Sequence, residues 1–172
     1  MISKLGLTCK PFELTSSCLF SESAHFGLAD ESEKQTIRPI VQERFDQLQS
    51  LSLIDFVGQW YQQDLFSISS KRMSSSQLER RYEQDKEGVL RALDTFSVLN
   101  QPYTLPVIQK LVFPMLYIVG EQDKTYVSLA QEVLSLCDGV RLEIVEEADH
   151  CVHVCQAGVF EECLGRYLVE GG

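Results

Sequence analysis

Asp123 and His150 are the two residues of this chain whose types and spacing most readily do chemistry. An apolar run, Leu116-Tyr-Ile-Val-Gly120, ends in glycine, and Asp123 follows on the loop beyond it. A helical stretch and a second apolar run, Val140–Val145, then lead to Glu147-Ala-Asp-His150, 27 residues after Asp123. A carboxylate can orient an imidazole, and the imidazole can then carry a proton for a nucleophile. An acid and a histidine on successive loops, each just past a strand, are the last two members of a triad that runs nucleophile, acid, histidine along the chain. The nucleophile of such a triad sits upstream on a Gly-x-Ser-x-Gly turn, and the 172 residues contain no such turn. The chain reads as the second half of an enzyme.

The elements that must position these two residues follow from periodicity. Val112–Val119 has the strongest strand pattern, and Val140–Val145 is a second strand. Between them, Val127, Ala130, Val133, Leu134 and Cys137 share one helical face. Val159–Val169 pairs its apolar residues at helical spacing and is expected to cover a sheet. Strand–helix–strand–helix implies parallel strands with crossover helices. Upstream, Ser17–Phe20 reads as a short buried strand after a lead-in with no clear period. Residues 30–100 are helical: Asp30–Gln49, Leu51–Tyr61, a Ser-rich turn at Ser67–Ser76, then Gln77–Asn100 with Gly88 as a break. The expected organisation is a lead-in and first strand over 1–29, a helical cap over 30–100, and a core segment over 101–172.

Composition narrows the partners. Fifteen Lys and Arg against 25 Asp and Glu leave a net charge of −10, which disfavours nucleic acid because phosphate binding needs clustered positive charge. No apolar run approaches the ~18 residues of a membrane span, and residues 1–20 make a poor signal peptide, so a cytoplasmic protein is expected, with an organelle as the alternative in a photosynthetic eukaryote. Six cysteines sit singly in apolar segments and read as reduced thiols. Cys151, His153 and Cys155 would share a face on an extended segment, but zinc takes four ligands at wider spacings, so no metal is expected.

Gln59-Trp-Tyr-Gln-Gln-Asp-Leu-Phe66, His25-Phe-Gly-Leu28, Gly120-Glu-Gln-Asp123 and His150-Cys-Val-His153 together resemble one α/β-hydrolase subgroup. That subgroup is the 2-succinyl-6-hydroxy-2,4-cyclohexadiene-1-carboxylate synthases of menaquinone and phylloquinone biosynthesis. The match runs from about Cys18 to the C-terminus and covers only the C-terminal part of the family; the Trp-Tyr-Gln-Gln string is its most specific element. The resemblance implies an α/β fold, with a short parallel sheet, flanking helices and a helical cap, and with the nucleophile-elbow half absent. It implies a lyase that removes a proton from its substrate and expels pyruvate, without metal or organic cofactor. By the same resemblance Asp123 matches the triad acid and His150 the triad histidine. Trp60 and Phe66 match pocket-lining residues of the cap, and Arg81 matches an arginine that binds a substrate carboxylate. Arg38 matches a second such arginine after a one-residue shift. The substrate is a small anion, which guanidinium groups grip through paired hydrogen bonds.

Plainer roles stand beside these. Asp123 suits a helix N-cap, Trp60 and Phe66 suit a cap core, and Arg81 suits a solvated helix face. His25, after the first strand, is expected to be structural. The triad histidine of the subgroup follows a glycine where this chain has Asp149. A carboxylate there is expected to compete with Asp123 for the imidazole, or to strain a glycine-like backbone. Without a serine and an oxyanion hole the chain alone is expected to be inactive, needing an N-terminal half for turnover. Its unpaired sheet edge is expected to promote self-association. A non-catalytic binding or assembly protein and an ester hydrolase of the same fold are the alternative functions.

Overall fold

The computed structural model describes residues 18–169; Cys9, Ser17 and the lead-in lie outside them. From the N-terminus the elements are β1 (Leu19–Glu22), α1 (Glu31–Ser50), α2 (Leu53–Trp60), a 3-10 turn (Asp64–Phe66), α3 (Ser69–Arg72), α4 (Ser75–Tyr82) and α5 (Lys86–Thr95). Then come α6 (Leu105–Ile108), β2 (Met115–Gly120), α7 (Lys124–Leu136), β3 (Val140–Val145), α8 (Val152–Cys155) and α9 (Ala157–Val169).

β2 is the frame, because its apolar run suits a strand covered on both faces. All six of its residues are buried. Alternation sends Met115, Tyr117 and Val119 to one face, where they meet Ala130 and Val133 of α7. Leu116 and Ile118 go to the other, against Val152 and Cys155 of α8 and Cys163 and Tyr167 of α9. β1 and β3 flank β2, both parallel to it, with Leu19 opposite Met115 and Met115 opposite Val140. The architecture is a short parallel sheet with helices on its faces.

Helices α1 to α5 form a separate layer with its own small core of Leu48, Phe56 and Val57. Their boundaries follow side-chain caps. Asp30 accepts the Glu33 amide, Ser52 the Asp55 amide and Asp85 the Gly88 amide. Ser74 and Gln77 form a reciprocal capping box. Those caps correct two expectations. The Ser-rich stretch 67–76 is not a turn but carries α3 and the start of α4. The helix expected over Gln77–Asn100 breaks at Asp85, whose carboxylate starts α5, so Gly88 lies inside a helix.

The strands also shift. β2 begins at Met115 because Pro114 cannot donate to a ladder, although its carbonyl accepts from the Leu19 amide at 3.2 Å. Val112, expected in the strand, is 98% exposed. β1 runs on to Glu22, two residues past the expected end, and that extension matters for the site. Among the described residues only β2 pairs with β1. No helix among them is long and apolar enough to cross a membrane.

Candidate active site

Three strand ends build the site. β2 stops at Gly120 because the loop after β3 crosses directly over it: an added Cβ would lie 2.2 Å from the Asp149 carbonyl oxygen and 2.4 Å from that of Ala148. Only glycine permits that approach. The Gln122 amide then donates to the Ala148 carbonyl at 3.0 Å and the Glu121 amide to that of Val145 at 2.9 Å. These bonds stitch the Asp123 loop to the His150 loop.

Asp123 is buried and uses both carboxylate oxygens. Oδ1 caps α7 by accepting the Tyr126 amide at 3.4 Å, and Oδ2 lies 2.7 Å from His150 Nδ1. The helix cap and the histidine contact are compatible, since each uses a different oxygen. With a carboxylate at Nδ1, a neutral ring carries its proton there and leaves the Nε2 lone pair free. The His150 side chain is 24% exposed. The Tyr126 ring lies against it at 4.7 Å between centroids and the Phe66 ring at 6.0 Å, both edge-on.

Asp149 does not compete for that imidazole. Its carboxylate turns away and accepts the amides of Ile68 at 2.9 Å, Ser69 at 2.7 Å and Cys151 at 3.0 Å, together with the Cys155 thiol at 3.2 Å. Burial would push this carboxyl up. The donors of Ser69, Cys151, Cys155 and Ile68 outweigh burial and hold it below the usual carboxylate range. Nor is its backbone strained, since among non-glycine described residues only Ser23 and Glu147 have positive φ. Asp149 clasps the segment around Phe66 to the histidine loop, aided by the His150 amide donating to the Leu65 carbonyl at 3.3 Å. Arg72 adds a bond to the Cys155 carbonyl.

Glu22 at the end of β1 closes the third side. It accepts from the His153 amide at 3.0 Å and lies 2.9 Å from His153 Nδ1. The segment 152–155 is a short helix rather than an extended strand, so Cys151, His153 and Cys155 do not share a face; His153 points to Glu22 and Cys155 to Asp149. No group of three or more His, Cys, Asp or Glu among the described residues is placed to hold a metal. Burial, ahead of the Asp149 charge, pushes the Cys151 thiol up to about 11, and burial pushes Cys155 up to about 12. Both stay protonated at neutral pH. Ser23 follows Glu22 in the left-handed region (φ 41°), with its hydroxyl buried and unpartnered. Such strain concentrates at functional sites.

The other sequence-selected residues divide. Phe66 touches His150, Trp60 stacks on Phe66 at 6.2 Å, and Tyr61 lies 5.1 Å from Phe66. Arg81 joins this column through Tyr61, donating to its hydroxyl at 2.6 Å, and also donates to the Gln77 carbonyl. Arg38 is not brought there; it pairs with Glu31 at 3.1 Å on the exposed face of α1. His25 meets Tyr126 edge-on at 6.5 Å. Burial lowers its pKa, with the Glu33 charge opposing, which favours the neutral ring, and its Nδ1 is buried without a hydrogen-bond partner. Sequence reasoning missed Glu22 and Tyr126. Tyr126 was open to detection, because the third residue after a capping Asp is the one whose amide the cap receives.

The arrangement of strands and helices recurs in a solved structure. The structure of MenH from S. aureus superposes with a TM-score of 0.81 at 23% identity, over 90% of this chain and 59% of that one. The chain has an α/β-hydrolase fold. No protein-family model matches it. By sequence it resembles 2-succinyl-6-hydroxy-2,4-cyclohexadiene-1-carboxylate synthases. It is 25% identical to that of Photorhabdus laumondii over 150 residues and 27% identical to that of Salmonella typhi over 135. Those matches take in 87% and 78% of this α/β-hydrolase-fold chain but 52% of each relative, so the chain spans about half their length. That share fits a match to the C-terminal part of such proteins.

Proposed function

We propose that this chain supplies the acid–histidine half and the helical cap of a lyase of menaquinone or phylloquinone biosynthesis. The reaction is loss of pyruvate from a succinyl-enolpyruvyl cyclohexene carboxylate. The observation that carries the reading is the 2.7 Å contact between Asp123 Oδ2 and His150 Nδ1, on loops that follow parallel strands. Open α/β sheets place their sites at the carboxyl ends of such strands. In this reading Asp123 holds the imidazole tautomer, and His150 Nε2 takes a proton from a serine that the 172 residues do not present on a Gly-x-Ser-x-Gly turn. The activated serine then removes the substrate proton, and the enolpyruvyl group leaves as pyruvate. Helices α1 to α5 act as the cap, with Phe66 and Trp60 lining the pocket and Arg81 holding a substrate carboxylate. The substrate is a small anion. Self-association through the open edge of β1 is a further expectation.

The test is complementation. The chain alone is expected to release pyruvate at the buffer rate. Adding or fusing the N-terminal half of a relative, such as the Photorhabdus synthase, should produce activity. Asp123→Ala or His150→Ala should then lower kcat on the order of 10³-fold or more, and Arg81→Ala should chiefly raise KM. Pyruvate release that survives His150→Ala would sink the reading. The absence of an elbow motif from the sequence favours a second reading, a non-catalytic binding protein, in which complementation fails while ligand binding persists. Turnover of simple esters without pyruvate release would point instead to an ester hydrolase.

A further inference from the structure

His150 lies between two tethers. Upstream of it, the Gln122 amide holds the Ala148 carbonyl. Downstream, the chain runs into α8, a helix of four residues that is too short to hold itself. Cys151 occupies the N-cap of α8 and makes no side-chain cap bond. Two carboxylates bind the free amides there instead. Asp149 accepts the Cys151 amide at 3.0 Å, but it belongs to the same loop and moves with it. Glu22 accepts the His153 amide at 3.0 Å from 131 residues away, at the end of β1. Val152 and Cys155 pack on the same cluster as Leu116 and Ile118, which fixes how far α8 stands from the sheet. Apolar packing has no preferred direction, so the rotation of α8 is left to the hydrogen bonds.

Glu22 is held firmly for that task. It pairs with Ile118 in the register of β1 and β2, and the Ser23 amide donates to the Ile118 carbonyl at 3.0 Å, so strand pairing continues past it. Both carboxylate oxygens lie 2.9 Å from His153 Nδ1, so the ring locks the group that receives the amide. Phe160 meets the His153 ring edge-on at 6.0 Å, and Phe20 of β1 meets Phe160 edge-on at 5.8 Å. The Glu22 side chain is 18% exposed against 54% for His153. A carboxylate so covered depends on its partners more than one in an exposed ion pair does. We propose that Glu22, locked by His153, is a positioning residue for His150. It sets the rotation of α8 and thereby keeps His150 Nδ1 on Asp123. The acid–histidine pair is then tied to all three strands: Asp123 follows β2, His150 follows β3, and Glu22 ends β1. The consequence for turnover rests on the lyase reading, whereas the consequence for the His150–Asp123 contact does not.

Proton NMR of the whole chain reads the contact, because an imidazole Nδ1 proton bonded to a carboxylate is shifted far downfield and exchanges slowly. Asp123→Asn assigns the His150 signal, and His153→Ala assigns that of the second ring. Glu22→Ala should speed exchange of the His150 Nδ1 proton about tenfold or more, beyond any change in the β2 amides. Glu22→Gln keeps an oxygen for the His153 amide and should retain most of the protection. His153→Ala keeps the amide bond and should cost less than Glu22→Ala. Glu143→Gln removes a carboxylate of 26% exposure that pairs with Arg141 and Arg166, and should leave the His150 signal unchanged. In the complemented enzyme, Glu22→Ala should lower kcat about 10–100-fold with KM within about twofold, and Glu22→Gln should restore most of it. An unchanged His150 signal in folded Glu22→Ala overturns the proposal, as does a loss of protection no greater than that of β2. If Glu22→Ala does not fold, unchanged exchange in both Glu22→Gln and His153→Ala overturns it. A raised KM at unchanged kcat does the same. Spectra as expected with no turnover in any complemented sample uphold the positioning role and count against the lyase.

Discussion

β2 and α1 hold their parts of the molecule in place by opposite means. Every residue of β2 is buried, whereas Leu48 alone is buried among the 20 residues of α1. Helices α4 and α5 contain no fully buried residue. The sheet half is packed from both sides, and Asp123 inherits its position from that packing. The helical layer meets the core chiefly where α3 lies against α8, and the bonds there are polar: the Asp149 carboxylate to the Ile68 and Ser69 amides, and Arg72 to the Cys155 carbonyl. One half is therefore set by apolar burial, which responds to volume. The other is clasped by hydrogen bonds, which respond to single atoms and to pH. Layers with few buried contacts open at lower free energy than the core.

The largest effect should come from the point where the sheet half tolerates no added atom. Gly120→Ala places a Cβ 2.2 Å from a backbone oxygen that cannot give way, and should cost about 4 kcal/mol or prevent folding. Urea denaturation measures it; a loss below about 1 kcal/mol would show that the histidine loop is not fixed by this contact. Leu116→Ala on β2 should cost about 3 kcal/mol, with all amides losing hydrogen-exchange protection together.

Asp149→Ala leaves buried amides without an acceptor and should cost on the order of 2–3 kcal/mol. Its signature is local. The Ile68 and Ser69 amides should exchange faster than those of β2 by more than the global loss explains, and uniform loss would erase the contrast between the two halves. The same clasp has a pH dependence of known sign. Because its carboxyl lies below the usual range, its stabilisation is present above the ordinary carboxylate pKa and is lost as pH falls through the depressed value. Acid should open the 65–69 segment before the sheet, and Asp149→Asn should flatten that dependence. The smallest effect should be that of Arg38→Ala, about 0.5 kcal/mol or less, because both partners of its ion pair are exposed.

Asp149 also marks where sequence reading reached its limit. A carboxylate next to a histidine invites a purely local argument, that it competes for the imidazole. Its partners, Ile68 and Ser69, lie 81 and 80 residues away along the chain, so no local pattern reveals them. The different surroundings of Arg38 and Arg44 have a related cause. Both lie on one predicted helix, and only packing against α2 and α5 decides which face is covered. The helix breaks at Ser74 and Asp85 were closer to the surface of the sequence, since capping residues stand in it openly, but a Ser-rich stretch serves a turn and a cap equally well.

The sequence by itself determined that strands alternate with helices over the C-terminal third, and that an acid and a histidine follow two of those strands. It did so because periodicity and strand-end loops are properties of neighbouring residues. Only the tertiary structure decided the rest: the 2.7 Å approach of His150 to Asp123, the turn of the buried Asp149 carboxylate away from that imidazole, Glu22 bound to His153, and Arg44, hydrogen-bonded to Gln63, above Trp60. Each joins segments far apart in the chain. Side-chain direction at such junctions is fixed by burial and hydrogen-bond satisfaction among all the segments at once.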